Sequence, residues 1–189
     1  STLRVAIAGC LGLALLAAPY LYGVGGAPVL ALGALGIAAS LSYNGGPAYV
    51  RRGLADPVFL LMFGVVAEVG TYYIQVAALQ GGPSPWQLLR SLPLTVYLVG
   101  LPAGALVTSV MLIDDIRDRE FDAAKGWRTG AVRRGDAWNR AEITLLVAFA
   151  YLAPIVFWLA LGFDAWVLLP LAFPAVVAGS IFTGPVGPL

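Results

Sequence analysis

Long apolar runs separated by short polar segments set the pattern of this sequence. Six runs, at about 3–23, 27–42, 57–80, 92–114, 141–162 and 165–183, carry almost no charge. Their lengths approach the roughly 20 residues that a helix needs to cross a hydrocarbon core. The pattern therefore predicts an all-α, polytopic transmembrane bundle of about six spans, forming one domain over 1–189 with no internal repeat. The first run carries only Arg4 and has no clear small-residue cleavage site, and five more runs follow it. It reads as a permanent helix, not a signal peptide. Glycines and prolines inside the runs (Gly33, Gly36, Pro19, Pro102, Pro154, Pro170) would weaken soluble helices. In lipid they are tolerated and let helices approach closely. Gly100 and Gly104 make a G-x-x-x-G pair, for which tight packing inside the bundle is the expectation.

Composition agrees. Hydrophobic residues make up 60% of the chain and charged residues 11%, with a mean hydropathy of +0.87. A soluble domain of this length would need far more charge to cover its surface. The net charge is +1 and the basic residues flank the apolar runs, so nucleic acid is not an expected partner. The single cysteine, Cys10, lies inside an apolar run, which excludes disulfides and zinc clusters. The chain has no histidine, so the commonest general base and metal ligand is absent.

Charge asymmetry gives the orientation. With the N-terminus inside, ten of the 11 lysines and arginines face the cytoplasm and only Arg90 faces out. The positive-inside rule thus predicts an N-in, C-in topology with loops 43–56 and 115–140 in the cytoplasm.

The second of these loops holds the clearest candidate chemistry. It opens Asp114-Asp115-Ile-Arg117-Asp118-Arg-Glu-Phe-Asp122 and continues to Lys125, Gly126, Trp127 and Arg128. If the fourth helix continues through it, Asp114, Asp118 and Asp122 fall at i, i+4 and i+8, with Asp115 close by. Like charges on one face repel unless a cation lies among them. Hard oxygen ligands without histidine or cysteine favour Mg²⁺, with Asp114, Asp115, Asp118 and Asp122 as candidate ligands. Arg117, Lys125 and Arg128 are spaced to hold phosphate oxygens completing the metal's shell. The competing reading is a solvated loop of ion pairs, since seven acidic and seven basic side chains lie between Asp114 and Glu142. A second constellation lies in the third run, where Glu68, Tyr72 and Gln75 share a helical face. An acid inside a membrane span is expected to face the bundle interior or a wet cavity. A protonated Glu68 bonded to a neighbouring helix is the structural alternative. Upstream, Tyr43-Asn-Gly-Gly-Pro47 precedes Arg51 and Arg52.

Taken in order, these segments resemble the UbiA superfamily of intramembrane aromatic prenyltransferases, and most closely its 1,4-dihydroxy-2-naphthoate polyprenyltransferase branch of menaquinone synthesis. The likeness rests on Tyr43 to Pro47 with Gly53-Leu54, on Gly64 to Gln75, and on Arg117-Asp118, Asp122, Gly126, Arg128-Thr129 and Ala131 to Gly135. It implies transfer of an isoprenoid chain from a prenyl diphosphate to an aromatic acceptor at the inner membrane, assisted by Mg²⁺. It further implies that Asp118, Asp122 and Glu68 are catalytic, and that Arg117, Lys125, Arg128, Tyr43, Tyr72 and Gln75 contact substrate. The family scaffold has nine helices and two aspartate-rich motifs, and the six runs correspond to its third through eighth helices. The first motif, of the N-D-x-x-D type, has no counterpart in this sequence. Asp114-Asp115 replaces a frequent Asn-Asn, Trp127 a lysine, Gly130 a leucine and Asp56 a glutamate. Three accounts follow: part of a prenyltransferase completed by further helices, a non-catalytic subunit of a larger membrane assembly, or a binder of ions or lipid headgroups or a different phosphotransfer enzyme.

Overall fold

A computed structural model describes residues 2–80 and 84–172. Every regular element among them is helical, as the apolar pattern predicts. Helix α1 (Thr2–Gly25) turns directly into α2 (Ala27–Ser42) through Gly26. Gly26 has φ +66° and its position would put a Cβ 2.9 Å from Pro85, so the tight hairpin requires glycine. Helix α3 (Ala55–Leu61) passes through a π-helical turn, Met62–Val66, into α4 (Ala67–Gln80), forming one rod of 26 residues. After the short α5 (Pro85–Arg90), α6 (Leu94–Val99) and α7 (Leu101–Arg117) form a second rod, Leu94–Arg117. Its hydrogen-bond ladder breaks around Gly100 because Pro102 has no N–H to offer the preceding turn. Two short helices, α8 (Arg119–Ala124) and α9 (Gly130–Arg134), lead into α10 (Asp136–Leu161).

Among the described residues four helices are long and apolar enough to cross a membrane: Arg4–Gly25, Ala55–Gln80, Leu94–Arg117 and Asp136–Leu161. Helix α2, with 16 residues, is shorter, about 24 Å at the usual rise. The sixth apolar run begins as a 3₁₀ helix, Ala165–Ala172, and its remainder lies outside the described residues.

Helix α7 is the centre of the bundle, packed against α10 on one side and α3 with its π turn on the other. Its buried face is small and polar: Gly104, Ala105, Thr108 and Ser109, then Met111, Leu112 and Asp115. The hydroxyls of Thr108 and Ser109 donate to the carbonyls of Gly104 and Ala105, each at 2.8 Å, so burying them leaves no orphan donor. The expected close packing at Gly100 and Gly104 is internal. A Cβ on Gly104 would stand 2.6 Å from the Cα of Gly64 in the π turn. Backbone meets backbone there, which explains why the rods need glycine on both sides. At the far end Tyr73 is fully buried and donates to the carbonyl of Gly25, tying α4 to the α1–α2 hairpin.

At the opposite end the two polar loops dock on each other. The Arg128 amide donates to the Arg51 carbonyl at 2.8 Å, and the Arg133 guanidinium donates to the Arg52 carbonyl at 3.1 Å. Gly53, at φ +67°, permits this approach, since a Cβ there would lie 2.7 Å from the Arg128 carbonyl oxygen.

Candidate functional site

The acidic segment does not continue α7 as one straight helix. Helix α7 stops at Arg117, Asp118 adopts φ −93° and ψ 6°, and α8 resumes at Arg119. Helical register nevertheless survives the break: the amides of Asp118 and Asp122 donate to the carbonyls of Asp114 and Asp118, each at 2.9 Å. The four aspartates separate by direction. Asp115 lies seven residues after Thr108, on the core-facing side of α7, and is 7% exposed. Asp122, a further seven residues on, is also turned inward and is 5% exposed. Asp114 and Asp118 stand outside and share Arg117, at 2.8 and 2.9 Å. Among the described residues no three acidic or cysteine side chains gather closely enough to hold a metal by themselves.

The two sets differ electrostatically. The Arg117 hydrogen bond holds the Asp118 carboxyl below the usual range. Burial pushes the Asp122 carboxyl up, and the charge on Asp118 adds to this. Asp56 and Asp122 are both close enough for their charges to act on Asp115.

Beside this acidic end lies an apolar cavity of about 720 Å³ between α2 and the α3–α4 rod. Gly33 and Gly36 line it from α2, and Met62, Val66, Gly70 and Ile74 from the rod. Three aromatic side chains line its loop end. The ring of Tyr43 stands 5.6 Å from that of Tyr49 and 5.8 Å from that of Phe59. Burial raises the Tyr43 hydroxyl's pKa, and the carboxylates of Asp115, Asp114 and Asp122 reinforce the effect. The loop end of the cavity and the aspartates are thus electrostatic neighbours.

Other sequence-predicted positions fall elsewhere. Ala67, Gly70, Thr71 and Ile74 are the α4 residues on the cavity. Glu68 is one step further round the helix, so Glu68, Tyr72 and Gln75 line none of it. Glu68 is half-buried against Gly100, where a Cβ would meet its Cγ at 3.1 Å. Tyr72 and Gln75 are exposed. Lys125 lies over the Phe121 ring at 5.5 Å, and Arg128 is exposed. Neither has a carboxylate within ion-pair distance among the described residues.

An acidic double turn thus ends the central helix beside an apolar cavity whose loop end is lined by aromatic rings. The UbiA prenyltransferase family matches residues 1–183. The chain belongs to this family. It is 32% identical over 154 residues to a 1,4-dihydroxy-2-naphthoate octaprenyltransferase of Haemophilus influenzae, covering 80% of this chain and 46% of the relative. It is 36% identical over 160 residues to the enzyme of that name from Mycobacterium tuberculosis, covering 82% and 46%. A Mycobacterium leprae relative of the same name matches at 32% over 180 residues, covering 92% and 53%. The chain spans about half the length of the curated relatives it matches. No solved structure matches it.

Within this UbiA-family chain a further polar network lies beneath the aspartates, and the sequence does not announce it. Arg134 donates to Asp56 at 2.7 Å and reaches Glu142 at 3.1 Å. With Thr108 these residues line a cavity of about 330 Å³. Asn139 is fully buried nearby, and neither atom of its amide has a hydrogen-bond partner among the described residues. Asp56 and Arg134 are 78 residues apart, so no local periodicity links them. The available signal is an acid in the first turn of an otherwise apolar helix, which needs a partner when buried.

Proposed function

We propose that this chain forms the aspartate-bearing part of a prenyltransferase site that moves an isoprenoid chain from an allylic prenyl diphosphate to an aromatic acceptor such as 1,4-dihydroxy-2-naphthoate. The observation that carries this reading is the adjacency of two unlike environments. An apolar cavity suited to a hydrocarbon chain is lined at its loop end by Tyr43, Tyr49 and Phe59, beside the carboxylates of Asp115 and Asp122. The matched relatives carry the corresponding activity in their names. The proposed setting is the inner membrane, with the docked polar loops on its cytoplasmic side, where the positive-inside rule puts them.

The donor set fits Mg²⁺ held jointly with substrate. It consists of carboxylate oxygens only, and among the described residues too few converge to form a complete protein cage. Magnesium is commonly bound through one or two carboxylates, with the remaining positions filled by water and phosphate oxygens. Asp118 and Asp122 would provide those carboxylates, with Asp114 or Asp115 contributing. When bound, the metal withdraws charge from the diphosphate and so eases departure of the leaving group.

The chain's own residues do the rest. Lys125 and Arg128, free of carboxylate partners among the described residues, hold the diphosphate oxygens. Arg117 joins them by exchanging an aspartate for phosphate. As the allylic C–O bond breaks, its electron pair leaves with the diphosphate. The resulting cation is attacked by electron-rich aromatic carbon, which then loses a proton. The cavity keeps water from the cation, and Tyr43 stands at the point where chain and diphosphate join. Glu68, Tyr72 and Gln75 lie on another face of α4, outside the lining of this cavity. No N-D-x-x-D sequence occurs in the chain, so full turnover requires further helices that carry this motif.

The test is binding of a labelled prenyl diphosphate to the purified chain, with and without Mg²⁺. Metal-dependent binding that is lost in Asp118→Ala/Asp122→Ala supports the proposal. Absence of binding by the native chain overturns it as a property of this polypeptide and favours a non-catalytic subunit.

A further inference from the structure

Loop docking brings together positive charges that are distant in sequence. Arg51 and Arg52 follow α2, whereas Lys125, Arg128 and Arg133 belong to the loop between α7 and α10. The Arg128-to-Arg51 and Arg133-to-Arg52 backbone contacts join the two groups into one seam. All five side chains are exposed. Among the described residues none of the five has a carboxylate within ion-pair distance, and five of the acids in these two loops and the helix starts beside them pair with other arginines. Arg117 takes Asp114 and Asp118, Arg119 takes Asp136 at 3.1 Å, and Arg134 takes Asp56 and Glu142. Exposed arginines left without counter-charge on a mixed-charge surface mark a place for an external anion.

Depth indicates which anion. Arg52 and Arg133 each stand three residues before a 26-residue candidate span, Ala55–Gln80 and Asp136–Leu161. At the usual rise such a helix is about 39 Å long, more than the hydrocarbon core of about 30 Å, so the arginines at its loop end lie at headgroup level. Two arginine–tryptophan pairs mark the same level: Arg51 over Trp127 at 4.8 Å and Arg134 over Trp138 at 5.6 Å. Tryptophan is enriched at the membrane–water interface. Arg51 is further fixed by its bond to the Asn44 side-chain oxygen at 2.8 Å.

We infer that Arg51, Arg52 and Arg133 form a binding seam for the phosphate of acidic phospholipid headgroups, separate from the carboxylates of the proposed transfer site. The inference takes the loop end as the cytoplasmic one, as proposed above. It does not require that the chain bind prenyl diphosphate. Near a membrane surface each arginine shifts partitioning toward anionic lipid by about fivefold, and salt screens the effect.

The experiment measures thermal unfolding of the purified chain in a neutral detergent with added phosphatidylglycerol, phosphatidylcholine or inorganic diphosphate. Phosphatidylglycerol should raise the apparent Tm, phosphatidylcholine should not, and high salt should reduce the shift. In Arg51→Gln/Arg52→Gln/Arg133→Gln the lipid concentration giving half the shift should rise at least tenfold. Arg51→Lys/Arg52→Lys/Arg133→Lys, which keeps the charges, should retain most of the response and covers the case in which the glutamine variant fails to fold. Asp118→Ala/Asp122→Ala should retain the whole response, so that failure of the transfer-site proposal leaves this one standing. An undiminished phosphatidylglycerol shift in the glutamine variant would overturn the inference. So would loss of the shift in the lysine variant, or a diphosphate shift that vanishes with the three arginines while lipid has no effect.

Discussion

The Asp56 carboxylate and the Arg134 guanidinium meet at 2.7 Å across 78 residues of sequence, joining the start of α3 to the end of α9. Asp56 is almost wholly buried, whereas Arg134 is about one-third exposed and also reaches Glu142. Removing the arginine leaves a buried carboxylate unpaired. Breaking a fully buried pair costs about 3–5 kcal/mol, and partial solvation of Arg134 reduces that to about 1–3 kcal/mol. Arg134→Gln should therefore lower the apparent Tm by several degrees in detergent. Arg134→Gln/Asp56→Asn should recover part of that loss, since it removes both charges together. If the double variant is no more stable than the single, the two residues are not energetically coupled.

The contact of Gly104 with Gly64 predicts a sharper effect. Even a methyl group at position 104 would stand 2.6 Å from the Gly64 Cα, and backbone on both sides prevents local relief. Gly104→Ala should destabilise the chain by about 1–3 kcal/mol through overpacking, and Gly104→Val by more. At Gly9 and Gly12 in α1, by contrast, a Cβ would have no neighbour within 4 Å. Alanine at either should leave the melting temperature unchanged or raise it, since helix propensity then acts alone. Equal behaviour of positions 104 and 12 would show that this glycine contact is not a packing constraint.

Asp118 and Asp122 should respond to pH in opposite senses. Arg117 lowers the folded-state pKa of Asp118, so its stabilising contribution is present above the ordinary carboxylate range, near pH 4, and is lost as pH falls through the folded value. Burial raises that of Asp122, so ionising it opposes folding. That penalty is absent below pH 4 and complete once pH exceeds the raised value. Asp122→Asn should thus be at least as stable as the native chain at neutral pH, with its advantage disappearing in acid. Asp118→Asn should lose a small increment at neutral pH and none in strong acid. Parallel pH profiles for the two variants would contradict the division into an inner and an outer pair.

Membrane residence, the all-α architecture and the family were legible in the sequence because each rests on local pattern: run length, charge placement, and the spacing from Arg117 to Gly135. The internal use of Gly100 and Gly104 was legible for the same reason. The division of the aspartates was not. Spacing at i, i+4 and i+8 groups Asp114, Asp118 and Asp122, but register survives the break at Asp118, and Asp122 follows Asp115 at i+7 on the side that packs against the core, a side that only the tertiary packing identifies. Asp115 and Asp122 then face inward while their neighbours face out. Glu68 illustrates another limit. Periodicity groups it with Tyr72 and Gln75, yet which face meets the cavity depends on α2, whose position periodicity cannot supply. The Asp56–Arg134 pair is purely tertiary.

The cavity gives the remaining prediction, because it separates chain recognition from diphosphate recognition. Gly36 lines the cavity and nothing lies within 4 Å of where its Cβ would be. A Cβ there meets no neighbour, and leucine is favoured in a helix by about 1 kcal/mol over glycine. Folding should therefore be unaffected or slightly improved in Gly36→Leu. The added side chain takes space that a bound isoprenoid would occupy, and each buried CH₂ displaced removes about 0.8 kcal/mol of apolar transfer energy. Affinity for a long-chain prenyl diphosphate should fall by tenfold or more, while that for inorganic diphosphate, held by Lys125 and Arg128, should stay constant. Titrating the two ligands side by side against native chain and variant decides the point. If both affinities fall together the cavity does not receive the hydrocarbon chain, and if neither falls the chain binds elsewhere, against the lipid-facing surface of the bundle.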